Sequence, residues 1–115
     1  MCSPYTTWVE LDRAALLHNV CALKRLIAPA KFMAVVKGNA YGHGMTQIAT
    51  AIAPHVDWFG VNSLEEAAGL RAAGIAHPIL IMGATPPDRL AEVVRGGFRQ
   101  VVYDHAGAAA LVQAA

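Results

Sequence analysis

Cysteine is scarce in this chain: there are two, Cys2 and Cys21, and no CxxC pair. That excludes a disulfide framework, leaves a zinc site without ligand spacing, and reads as free thiols in a reducing compartment. Charge is scarce as well, with 15% Asp, Glu, Lys and Arg, a net charge of +1 and no basic run. A nucleic-acid footprint needs clustered Lys and Arg, so no nucleic-acid partner is expected. No apolar run approaches the roughly 18 residues of a membrane span, so no membrane partner is expected. The opening residues, MCSPYTTWVELDR, carry neither the basic start nor the apolar stretch of a secretory signal. These absences point to a cytoplasmic protein without a metal centre.

What the chain does have is apolar material, 56% of 115 residues. That suffices for one core and is too short for two ordinary domains. Asp12 is placed to cap a helix over RAALLHNVCALKRLI, with Leu16, Val20, Leu23 and Ile27 on one face. FMAVVK then reads as a buried strand, MTQIATAIA as a helix stopping before Pro54, and WFGVN as a second strand. Ser63 opens SLEE, a capping box in which Glu66 reaches back to the cap, and Gly74 follows as a left-handed terminator. PILIMG is a third strand, RLAEVVR a helix closed by Gly96 and Gly97, FRQVVY a fourth strand, and Asp104 caps a last helix through Leu111.

Strand centres at Val36, Val61, Ile81 and Val101 are separated by 25, 20 and 20 residues. Buried strands alternating with helices at this interval form parallel βα units. Four such units make about half of a (β/α)8 barrel, which takes about 250 residues. An open doubly wound sheet fits the same rhythm, and periodicity alone leaves both open. The chain stops at ALVQAA inside a helical pattern, an ending expected of a truncated chain.

The stretch FMAVVKGNAYGHG, Phe32 to Gly44, carries the chemistry. Function in parallel α/β folds gathers at the C-terminal edge of the strands, and Lys37 stands there. An amine held in dry surroundings is driven toward its neutral form, a nucleophile able to form a Schiff base. Gly38, Gly42 and Gly44 permit a tight turn, and Tyr41 offers a phenol to a phosphate or a proton. A strand-terminal lysine also commonly just reaches water, and the glycine spacing matches neither the dinucleotide fingerprint nor the P-loop.

VVKGNAYGHG resembles the pyridoxal-phosphate attachment motif of alanine racemases. The likeness extends to WVELDRAALLHNVCALKRL, GVNSLEEAAGLRAAGI and PILIMG, from Trp8 to the end. It covers the front third or so of that family's usual chain. One departure shows: Gly38 stands where the family usually has Ala, and a glycine there is expected to loosen the backbone beside the lysine. The resemblance implies a pyridoxal 5'-phosphate enzyme of α/β class whose residues 1–115 are the N-terminal part of a TIM (β/α)8 barrel. It also implies that residues 1–11 associate with a C-terminal β domain. It implies racemisation of L- and D-alanine, supplying D-alanine for peptidoglycan, by a homodimer in the full-length protein.

By position, the resemblance makes Lys37 the cofactor lysine and one of two bases, the one handling the D-enantiomer. Tyr41 would bind the cofactor phosphate. The second base is a tyrosine of the partner's C-terminal domain in the family. Tyr5 and Tyr103 match other places, so the chain alone is expected to be inactive. Met82, ending the third strand, either lines the cofactor ring or is plain core. His43 is expected to make a structural hydrogen bond, and Asn39 to tie the turn to the backbone. Competing readings are a racemase of serine or of broader specificity, and a non-catalytic half barrel that binds small molecules. With two sheet edges open, self-association is expected.

Overall fold

Apolar segments separated by helical ones give the expected alternation. The computed structural model describes residues 4–115, so the thiol of Cys2 lies outside the described residues. Helix α1 (Arg13–Ile27) leads to β1 (Met33–Val35), the short turn α2 (Lys37–Tyr41) and α3 (Met45–Ile52). Then come β2 (Trp58–Val61), α4 (Leu64–Ala72), β3 (Ile79–Ile81), α5 (Leu90–Arg95), β4 (Arg99–Gln100) and α6 (His105–Ala114).

The four strands form one parallel sheet in the order β1-β2-β3-β4. That order decides between the two architectures. A barrel lays each strand beside the one before it, whereas a doubly wound sheet reverses direction at a switch point. The chain is therefore about half of a (β/α)8 barrel. One face of the sheet is dry: Phe59, Val61, Ile79 and Ile81 are fully buried among Ala49 and Ile52 of α3, Ala67 and Leu70 of α4, and Val93 of α5. On the other face Met33, Val35, Trp58 and Leu80 stay half-buried, as the inside of an open barrel should. Gly60 sits among them, where an added Cβ would lie 3.3 Å from Val35 and 3.4 Å from Met33.

Every strand is shorter than its apolar run. β4 keeps only two residues of FRQVVY. As an edge strand it has one neighbour, and the Phe98 N–H turns back to the Val93 carbonyl (3.1 Å) rather than joining the sheet. β1 begins late because Phe32 is occupied: its N–H donates to Asp57 Oδ2 (2.8 Å). That hydrogen bond, followed by the Lys24 ammonium 3.6 Å away, holds the Asp57 carboxyl below its ordinary value.

Helix starts follow the sequence. Asp12 accepts from Ala15 N at 3.0 Å, Ser63 from Glu66 N at 3.2 Å and Asp104 from Gly107 N at 2.6 Å. α6 extends past Leu111 to Ala114. The buried side of α1 differs from the expected stripe. Val20 is buried with Leu16 packed beside it, but Leu23 is 49% and Ile27 36% exposed. The helix is rotated so that Lys24 lies over Asp57, and Leu23 turns outward. No helix among the described residues is long and apolar enough to cross a membrane.

Candidate active site

The register brings three strand ends to one edge: Val35 is level with Gly60, and Val61 with Ile81. Lys37 follows β1 by two residues, half-buried rather than sealed from water, and has no ion-pair partner among the described residues. Met82 follows β3 and is half-buried, its N–H bonded to the Val61 carbonyl (2.8 Å) and its carbonyl accepting from Tyr103 OH. One strand, β2, lies between it and Lys37, so two strand spacings, about 10 Å, separate them. Tyr41 shares the turn with Lys37 and is 64% exposed.

The turn is left-handed. Gly38 (φ 61, ψ 42), Asn39 (56, 43) and Ala40 (53, 48) are followed by Tyr41 at φ 54 and Gly42 at φ 88. An L-residue in this region costs about 1–2 kcal/mol, so Asn39, Ala40 and Tyr41 need external support. The structure supplies it. Ala40 N donates to Val36 O (2.8 Å), Gly42 N to Gly38 O (3.1 Å) and Gly44 N to Asn39 O (2.9 Å). The Asn39 side chain ties the turn to the next helix, accepting from Met45 N at 2.9 Å. His43 makes the structural bond expected of it, Nδ1 to the Ala40 carbonyl at 3.0 Å. Ala40 itself is buried at 7% exposure. Gly38 is no loosening element here. Its φ of 61 suits a glycine, and a Cβ would meet nothing within 4 Å, so the residue lowers strain in a turn fixed by its neighbours.

Glu66 is where sequence reasoning fell short. Its carboxylate does not return to the Ser63 cap. Oε1 accepts from Gly38 N (2.7 Å) and Oε2 from Asn62 N (2.7 Å). The capping pattern marked the residue, but a partner 28 positions away leaves no local signal. Beside it, Glu65 pairs with Arg89, which also bonds Glu92 through Nε at 2.9 Å. The guanidinium holds both carboxyls below their ordinary range.

Two cavities border this sheet. One, of about 560 Å³, runs along the free edge of β1, lined by residues 32–36, Leu16, Ile48 and Ile52, with Tyr41 and His43 of the turn. The other, about 290 Å³, lies beyond β4 against α6; Lys37 lines neither. No group of His, Cys, Asp and Glu among the described residues could hold a metal. A carbonyl-bearing cofactor with a phosphate fits better. The lysine is half-buried and without an ion-pair partner among the described residues at the strand ends, a phenol stands four residues on, and the sheet face carrying Met33, Val35, Trp58 and Leu80 is apolar with Gly60 at its middle.

A family described as "Alanine racemase, N-terminal domain" matches residues 11–115. The alanine racemase of Symbiobacterium thermophilum is 44% identical over 99 residues, which are 85% of this chain and 26% of that protein. That of Desulfosudis oleivorans is 43% identical over 113 residues, 96% of this chain and 29% of that protein. The chain thus spans between a quarter and a third of the length of these curated relatives. Among solved structures, the Corynebacterium glutamicum alanine racemase superposes with a TM-score of 0.85 at 40% identity, covering 90% of this chain and 31% of that one. The Bacillus anthracis alanine racemase with bound L-Ala-P superposes at 0.82 and 33% identity, covering 97% and 30%.

Proposed function

Because the chain belongs to the alanine racemase N-terminal domain family, we propose that it is the lysine-bearing front part of a pyridoxal-phosphate-dependent alanine racemase. The observation that carries this reading is the placement of Lys37. It is the one lysine at the C-terminal edge of the sheet, presented by a left-handed turn held by its own backbone hydrogen bonds and by bonds to Glu66 and Met45. Lys24 is ion-paired at the opposite end of the strands, and Lys31 precedes β1.

When bound, pyridoxal phosphate supplies an electron sink for the pair left behind as an amino acid loses its α-proton. The chain's own part is to hold and aim. Lys37 Nζ would hold the cofactor and would carry a proton on one face of the substrate's α-carbon. Tyr41 OH would donate a hydrogen bond to the phosphate. Met82 and the half-buried residues Val35 and Leu80 would line the cofactor and exclude water from it. Inverting the carbon needs a second proton carrier on the opposite face. Tyr103 reaches the strand ends but its OH is engaged on the Met82 carbonyl, and the resemblance gives that role to a tyrosine of the partner's C-terminal domain, so turnover is assigned to an assembly larger than these 115 residues, a homodimer in this reading. The exposure of Trp8 (58%) and Val9 (67%) supports pairing of residues 1–11 with a β domain. The product assigned is D-alanine for peptidoglycan, made in the cytoplasm.

The test is covalent. Incubation with pyridoxal phosphate, borohydride reduction and peptide mapping should place the label on Lys37 among the three lysines, Lys24, Lys31 and Lys37. Label on Lys24 or Lys31, or none, overturns the assignment.

A further inference from the structure

We propose that Glu66 is the positioning residue for Lys37. One carboxylate at the head of α4 grips the lysine turn and the end of β2 together, and so fixes where the amine stands. The proposal rests on the reading of Lys37 as the cofactor lysine.

The geometry is specific. Glu66 Oε1 accepts from Gly38 N and Oε2 from Asn62 N, both at 2.7 Å. Gly38 N belongs to the peptide unit that carries the Lys37 carbonyl, so holding it fixes the backbone immediately after the lysine. On the other side of Lys37, Val36 N donates to the Gly60 carbonyl of β2 at 2.9 Å. The lysine is therefore clamped to the neighbouring strand from before and after. Gly38 is also the first of the left-handed residues, so its bond sets the start of the whole turn.

Glu66 is itself held firmly enough to serve. Its N–H donates to Ser63 Oγ (3.2 Å), and Leu64 and Ala67 on either side are buried at 5% and 0% exposure. The N-terminus of α4 favours a carboxylate at this position. Chemistry narrows the residue further. A carboxylate only accepts, so both oxygens can serve N–H donors, and such charge-assisted bonds are the stronger kind. An amide can serve one donor while its NH2 confronts the other. An aspartate, one methylene shorter, cannot span both.

The experiment uses the whole chain with Glu66→Gln and Glu66→Asp, and with Glu65→Gln as the control, since Glu65 pairs with Arg89 instead. The first readout is amide hydrogen exchange without cofactor. Gly38 should exchange about tenfold faster or more in both Glu66 variants, because Gln offers at best a neutral acceptor and Asp cannot reach both N–H groups, while Phe59 and Ile79 keep their rates and report an intact core. The second is the share of borohydride-fixed label on Lys37 against Lys24 and Lys31, which should fall in the Glu66 variants and hold in Glu65→Gln. Unchanged Gly38 exchange overturns the proposal. So does faster exchange with undiminished Lys37 labelling, which would leave Glu66 as a helix cap only. Absence of label on Lys37 in the parent chain overturns the cofactor reading, and this proposal with it. Label in the parent that survives Glu66→Gln overturns this proposal alone.

Discussion

Asn39 does two jobs in the lysine turn, and a pair of substitutions separates them. Its side chain accepts from Met45 N at 2.9 Å, capping α3 from outside the helix. Its backbone, at φ 56, lies where Asn is several-fold more tolerant than other L-residues. Asn39→Ala removes both advantages. Loss of the cap costs about 1 kcal/mol, and loss of the side chain's tolerance for the left-handed region adds up to about 1 kcal/mol. A destabilisation of about 1.5–2 kcal/mol follows for that variant. Asn39→Gly also loses the cap but adopts the left-handed region freely, so its net cost should stay under about 0.5 kcal/mol. Urea denaturation followed by circular dichroism measures both, with the slopes required to agree with the parent. Equal stabilities for the Ala and Gly variants would refute the claim that backbone handedness, and not the cap alone, is at stake.

Two further outcomes follow from the same sheet. Asp57 has its folded-state value depressed by the Phe32 N–H and then by Lys24, so its contribution is complete above its ordinary value of 3.8 and is lost as pH falls below it. An acid titration of stability should flatten in that range in Asp57→Asn, and an unchanged profile would show that the bond to Phe32 adds nothing. Gly83 donates to the Asn62 carbonyl at 3.0 Å, and an added Cβ would collide with that same carbonyl. Gly83→Ala should lower stability by about 2 kcal/mol or more, read as a shift in the urea midpoint. A shift under a quarter of that would mean the β2 and β3 ends separate easily.

Helix starts were legible because capping is local: Asp12, Ser63 and Asp104 each bond a residue three places on. The βα rhythm was legible because burial on both sides of a parallel strand writes a continuous apolar run. Strand order was not, since nothing in VVK or ILI names its neighbour; periodicity left barrel and doubly wound sheet open, the family resemblance favoured the half barrel, and the strand order agrees with it. The outward turn of Leu23 was hidden for a related reason, because the ion pair of Lys24 with Asp57 joins residues 33 positions apart. The lysine motif was half legible. Gly38, Gly42 and Gly44 announce unusual backbone, but Ala40 and Tyr41 between them do not, and both are left-handed.

Those two residues say what kind of site this is. Left to local preference, NAY would run right-handed, at about 1–2 kcal/mol per residue in favour. The opposing bonds are the carboxylate of Glu66 on Gly38, the Asn39 amide on Met45 and the His43 ring on Ala40. Their gains, about 0.5–1.5 kcal/mol for each neutral bond and about 1.5–3 kcal/mol for that of Glu66, are of the same order as the strain they oppose. Neither side wins by much, so the turn holds only while its partners on α3 and α4 are in place. Those helices are the parts of the chain buried deepest against β2 and β3. The direction in which Lys37 presents its amine is therefore decided by the packing of the barrel wall, and a substitution that loosens α4 should disturb the lysine before it disturbs the sheet.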